Sequence, residues 1–227
     1  MGELIAGCDE AGRGCIIGPL VIAAISIEKN KEKELKKIGV KDSKELSQKK
    51  RVELAEKIEE IAKDIVVFKV GPCKIDTFRK QGVDLNRLES MKFADGLRML
   101  KPQTAFIDAP DTNLPKFTAF MEKLVGSDMK IIARHKADRD FPVVSAASII
   151  AKVEREAEIG KLKNEHGDFG TGYTSDEKTM EWLRNWLKSN KDFPEGLVRK
   201  SWVTHKTLIG EKEQKSLGSW MKGKIIK

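Results

Sequence analysis

Asp9 and Glu10 stand side by side where an apolar run ends, and a glycine-flanked arginine follows them at once in Ala11-Gly12-Arg13-Gly14. Adjacent carboxylates beside an arginine suit a divalent cation and a phosphate: such cations take oxygen ligands, and a guanidinium pairs with phosphate oxygens. Gly12 and Gly14 leave backbone N–H groups uncovered, so a ligand can approach the main chain closely. The chemistry this suggests is a metal-assisted reaction at a phosphate. Residues 4–8 predict a short buried strand, and in a regular strand Asp9 and Glu10 would face opposite sides. Their use at one site therefore predicts that the chain leaves strand geometry near Glu10. A charged turn after an edge strand is the competing reading. It fits poorly, because residues 16–27 return at once as a long β-branched strand.

Two further apolar runs lead into carboxylates. Thr104-Ala-Phe-Ile107 ends on Asp108, and Ala109-Pro110 stops the strand. Ligands of open α/β sheets sit beyond strand ends. A lone strand-end aspartate is more often a helix cap or turn former, and the nearby Asp111 reads as loop. Residues 129–133 run into Arg134-His135-Lys136-Ala137-Asp138-Arg139-Asp140. Asp138 and Asp140 both lie near the strand end, and the basic residues read as surface charge. Ser47 predicts the N-cap of an amphipathic helix over 48–63. That leaves Ser43 and Lys44, just before it, unexplained by capping.

The elements that must position these residues follow from periodicity. Strands are predicted over 4–8, 16–27, 65–70, 104–107 and 129–133, with a charge-rich turn or short helix over 29–37. Helices are predicted over 48–63, 75–80, 85–100 and 115–125. Leu85, Leu88, Met91, Leu97 and Leu100 give the third a core stripe. Pro115 sits in the first turn of the fourth. A long helix from residue 143 to 155 carries Ser145, Ala146, Ala147 and Ser148, small residues that let it lie close against a sheet. Thr174 and Glu177 form a capping box for a helix over 175–187, with Trp182, Leu183 and Trp186 as its core side. Tyr173 would staple this cap only against Lys178, a poor partner.

The chain has 227 residues, 43 basic against 35 acidic, and a net charge of +8. That balance, with an isoelectric point near 9.2, favours a polyanionic partner. No apolar run approaches the ~20 residues needed to span a bilayer. The N-terminus lacks the basic and apolar regions of a signal peptide. Three cysteines without a Cys-x-x-Cys and three scattered histidines argue against structural zinc and disulfides. A reduced, cytoplasmic setting without membrane attachment is expected.

Asp-Glu-Ala-Gly-Arg-Gly followed by Gly18-Pro-Leu-Val resembles the opening signature of ribonuclease HII. Lys136-Ala-Asp138-x-x-x-Pro142-x-Val-Ser-Ala-Ala-Ser-Ile-x-Ala-Lys152-Val is a second match, and Gly172-Tyr173-x-Ser-Asp a third. Cys15 and Thr174 stand where that family commonly has proline. The resemblance covers residues 5–209. It implies an α/β fold of the ribonuclease H-like kind: a mixed sheet of about five strands flanked by helices, then a helical C-terminal region. It divides the chain into a catalytic core over 1–174, a helical region over 175–210 and a flexible tail over 211–227. The implied activity is endonucleolytic hydrolysis of RNA–DNA hybrids, or of ribonucleotides embedded in duplex DNA, leaving 3′-hydroxyl and 5′-phosphate ends. Asp9, Glu10, Asp108 and Asp138 would hold two Mg2+ or Mn2+ ions, with Asp138 favoured over Asp140. Gly12, Arg13, Gly14, Ser43, Lys44, Lys152 and Tyr173 would contact substrate. Four clustered acids without metal predict at least one raised pKa. A non-catalytic hybrid binder and an unrelated metal nuclease of the same fold are the competing functions.

In the tail, Gln214, Leu217, Trp220 and Met221 follow the spacing of sliding-clamp-binding peptides, with methionine at the second aromatic position. Archaeal ribonucleases HII resemble this chain in carrying such a tail, so a clamp (PCNA) is an expected partner. The tail is expected to be disordered alone, and the enzyme monomeric.

Overall fold

The structure is a computed structural model that describes residues 2–40 and 46–224, with side chains described as far as Gln214. Its strands are β1 (Leu4–Ala11), β2 (Leu20–Glu28), β3 (Asp64–Val70), β4 (Thr104–Asp108) and β5 (Lys130–Arg134). They form one sheet in the order β3-β2-β1-β4-β5. β2 pairs antiparallel with β1 and β3, whereas β4 runs parallel to β1 and β5. The helices are α1 (Glu32–Ile38), α2 (Gln48–Ile61), α3 (Pro72–Lys80), α4 (Leu85–Leu100), α5 (Leu114–Val125), α6 (Ala137–Asp140), α7 (Pro142–His166), α8 (Glu177–Ser189) and α9 (Val203–Lys224).

The chain forms two compact units, each assembled from separated stretches. One contains 1–13, 20–70 and 83–157; the other contains 14–19, 71–82 and 158–227. In the first, Ile5, Val21, Ala23, Ile25 and Ile27 of the sheet bury against Leu54 and Ile58 of α2 and Val143, Ala146, Ala147 and Ile150 of α7. Alternation along β2 turns Ala24 to the other face, where α4 lies. A Cβ at Gly96 would come within 3.0 Å of the Ala24 methyl. α7 lies closer still at Gly7, where a Cβ would meet the Val143 carbonyl oxygen at 2.3 Å. Only glycine lets the helix backbone sit on β1 there.

The second unit has its own core of Ile16, Ile17, Ile159, Phe169, Leu183, Leu187, Phe193, Leu197, Val198 and Leu208. Arg199, fully buried, threads it: Nε donates to the Gly18 carbonyl at 3.1 Å and Nη2 to Cys15 Sγ at 2.8 Å. Asp76 of α3 accepts the Lys200 and Ser201 N–H groups, each at 2.9 Å.

Several boundaries differ from the sequence reading. The strand predicted from residue 16 begins at Leu20, because Gly18 takes φ +86°. Ile16 and Ile17 join the second core instead, with Ile17 bridged to Val198. The capping box at Thr174 is replaced by Asp176, whose carboxylate accepts from the Lys178 N–H at 3.1 Å and also takes the Thr171 N–H. A carboxylate serving two N–H groups displaces a hydroxyl as the cap. Trp182 and Trp186 are only partly buried; their rings stack at 5.1 Å beside the core. α9 continues to Lys224, into the segment expected to be a flexible tail; that segment opens on the good helix formers Glu211 to Lys215. Ser47 caps α2 as expected, accepting from the Lys50 N–H at 3.2 Å.

Candidate active site

β1 and β4 run parallel with Cys8 opposite Ile107, so Asp9 and Asp108 are the next residues on neighbouring strands. Asp138 comes from α6, a single turn entered through Lys136 in the left-handed region at φ 58°. Asp108 holds that turn: its Oδ1 accepts the Ala137 N–H at 3.2 Å. Asp9, Asp108 and Asp138 each offer an oxygen, and these lie within 4.8 Å of one another. The donors are all carboxylate oxygens, the set that Mg2+ and Mn2+ prefer. Asp9 and Asp138 are buried, whereas Asp140 is exposed and pairs with Arg134 at 3.4 Å.

The strand does not break at Glu10, contrary to the sequence reading; β1 continues to Ala11 and Gly12 then turns at φ +81°. Glu10 lies outside the aspartate trio. Its N–H donates to Asp9 Oδ1 at 2.8 Å, and its carboxyl is mostly buried in the field of Glu89, Arg13 and Asp108. Burial, then repulsion from Glu89, pushes the Glu10 carboxyl up to about 8 against a partial pull from Arg13. Asp9 is also pushed well up, first by burial and then by Glu10, while a hydrogen bond from Ser148 opposes the shift. Four acids placed this way are charged together only at a cost, which a divalent cation would relieve.

Lys152 lies one turn along α7 from Ser148, and its Nζ donates to Ser148 Oγ at 3.2 Å. With Ser148 bonded to Asp9, a line of polar groups runs from Lys152 to the first carboxylate. The close seat of α7 on Gly7 brings that line into reach. Ser148 was legible only as one of several small residues. Arg13 is met by two α4 residues that the sequence reading passed over, Asn86 and Glu89. A carboxylate at position 89, inside a core stripe, is the signal that could have found Glu89.

Tyr173, half-buried in the second unit, forms an antiparallel bridge with Cys15; the Gly172 carbonyl accepts the Ile16 N–H at 2.9 Å. Gly14 is exposed, and a Cβ there would meet nothing within 4 Å. Ser43 and Lys44 lie outside the described residues, as do the side chains of Leu217, Trp220 and Met221; Gln214 is exposed. Among the described residues no helix is long and apolar enough to cross a membrane.

The sequence matches the family model described as Ribonuclease HII over residues 6–205. It is 43% identical to ribonuclease HII of Pyrococcus furiosus over 96% of this chain and 98% of the relative. The crystal structure of ribonuclease H2 from Pyrococcus horikoshii superposes with a TM-score of 0.87 at 41% identity, covering 92% of this chain and 99% of that one. A ribonuclease HII from Archaeoglobus fulgidus, solved as a complex with PCNA, gives 0.80 at 44% identity over 86% and 92%. The five-stranded mixed sheet flanked by helices is thus a ribonuclease H-like fold. With its carboxylates gathered from β1, β4 and α6 and its likeness to these relatives spanning nearly its whole length, the chain belongs to the ribonuclease HII family.

Proposed function

We propose that Asp9, Glu10, Asp108 and Asp138 hold two divalent cations, Mg2+ or Mn2+, and that hydrolysis occurs on the 5′ side of a ribonucleotide. The family's activity is endonucleolytic cleavage of the RNA strand of RNA–DNA hybrids, a type 2 ribonuclease H reaction with a two-metal mechanism. The convergence of three carboxylates from β1, β4 and α6 is the observation that supports this assignment of residues. When bound, such ions lower the pKa of water and stabilise charge on the leaving oxygen. The chain's part is orientation. Ser148, backed by Lys152, fixes Asp9, and the Ala137 N–H fixes one oxygen of Asp108.

The substrate is an RNA–DNA hybrid or a duplex DNA with embedded ribonucleotides, and the backbone of Gly12, Arg13 and Gly14 reads the 2′-hydroxyl. Gly14 supports this, because no protein group requires a glycine there: its φ is not positive and the space beside it is open. Tyr173 stacks on the adjoining deoxyribose, and Ser43, Lys44 and Lys152 contact substrate, Lys44 through a phosphate. Gln214, Leu217, Trp220 and Met221 dock a monomeric enzyme on a sliding clamp; the PCNA complex of the Archaeoglobus relative supports that role.

The test is a DNA duplex with one ribonucleotide, incubated with Mg2+, with Mn2+ and with chelator. Metal-dependent cleavage 5′ to the ribonucleotide, leaving a 3′-hydroxyl, is expected. Cleavage that persists in chelator refutes the carboxylate assignment.

A further inference from the structure

Asn86 and Glu89 are three residues apart on α4, so they share a helix face. That face looks inward: Leu88, Phe93 and Leu97 around it are buried, and the Glu89 side chain is 0% exposed. A carboxylate withdrawn from water that far is costly unless it is paired. Its partner is Arg13, 76 residues earlier in the chain, whose Nη1 lies 2.5 Å from Glu89 Oε2. Nη2 of the same guanidinium donates to Asn86 Oδ1. A planar group held through two different nitrogens is fixed in both position and tilt.

The setting gives this clamp a purpose. Arg13 sits between Gly12, at φ +81°, and Gly14, exposed with nothing beside it. Glycines let a ligand reach the main chain, but they also leave the backbone the largest choice of conformations. Only Arg13 has a side chain through which that short stretch can be anchored. We infer that Asn86 and Glu89 are positioning residues for ribonucleotide selectivity, holding Arg13 so that the Gly12–Gly14 backbone keeps one path. This rests on the proposed reading of the 2′-hydroxyl by that backbone. What the clamp requires at position 89 is an acceptor oxygen aimed at Arg13, a role that a glutamine can fill.

The experiment uses the full chain and two duplexes of one sequence, all-DNA or with a single ribonucleotide, bound in Ca2+ so that affinity is read without cleavage. Glu89→Leu should lower the ratio of the two affinities about tenfold, as expected for losing a hydrogen bond to a charged group. Glu89→Gln should stay close to the wild-type ratio. In an Arg13→Ala background, Glu89→Leu should have no added effect, because both changes remove the same interaction. Asn86→Ala, at a partly exposed site, supplies the same test where Glu89→Leu does not fold. A merely structural role would lower the melting temperature and leave the ratio unchanged, and that result overturns the inference. A wild-type chain without ribonucleotide preference overturns the reading beneath it as well.

Discussion

Glu10→Gln should stabilise the metal-free protein at alkaline pH while destroying its use of metal. The Glu10 carboxyl is held up to about 8 by burial and by Glu89, against an ordinary value of 4.5. Below pH 4.5 the folded and unfolded chains both carry the proton, and the site costs nothing. Between 4.5 and about 8 the unfolded chain has lost the proton and the folded chain keeps it, so stability falls as pH rises. At about 1.4 kcal/mol for each pH unit, the ceiling on the loss is about 5 kcal/mol. For a chain of this size that corresponds to on the order of 10 °C in melting temperature. Asp9, also pushed up, adds in the same direction. The assay is urea unfolding of chelator-treated wild type and Glu10→Gln at pH 5 and pH 8.5. Wild type should lose markedly more stability over that interval than the variant. Mg2+ should then restore wild type far more at pH 8.5 than at pH 5, because it binds only the ionised carboxylates and only the folded chain. Identical pH slopes in the two proteins would refute the electrostatic picture of the site.

Asp108→Asn should lower kcat by on the order of a hundredfold or more with folding intact, and Asp138→Asn should do the same, while Asp140→Asn stays near wild type in steady-state cleavage assays. Gly14→Ala should leave the melting temperature unchanged but weaken cleavage at a single ribonucleotide, since the added methyl meets only substrate. Tyr173→Ala should slow cleavage of single-ribonucleotide duplexes more than that of continuous hybrids; equal slowing would make it a structural residue. Ending the chain after Gly210 should spare cleavage of short duplexes and abolish clamp binding by calorimetry, as should Trp220→Ala for the binding alone.

Much of this was legible because the signals were local. An acid that ends an apolar run is a candidate site residue, and Asp9 and Asp108 have that form. The serine at 47 and the stripe beginning at Leu85 likewise carry their meaning within a few residues. Asp138 does not: it rides on one turn entered through a left-handed lysine, and only the family motif separated it from Asp140. Asn86, Glu89 and Ser148 were hidden because their partners lie 73, 76 and more than a hundred residues away. The break expected at Glu10 failed for a related reason. Asp138 joins Asp9 and Asp108 from a separate element, α6, so that cluster of three forms without a bend in β1.

The make-up of the second unit bears on how the chain is born. Residues 14–19 are synthesised well before their partners: they bond to Gly172, Leu197 and Arg199, the last lying 184 residues beyond Cys15. At 5–20 residues per second, that segment waits roughly 10–40 s on the ribosome before its partners exist. Ile16 and Ile17, fully enclosed in the finished protein, lack their covering core throughout that interval. A nascent chain that stalls short of Arg199 already contains all of 1–13, 20–70 and 83–157, but lacks the residue that pins the loop between β1 and β2. A product cut short before Arg199 would thus hold Ile16 and Ile17 without the full core that encloses them in the finished protein.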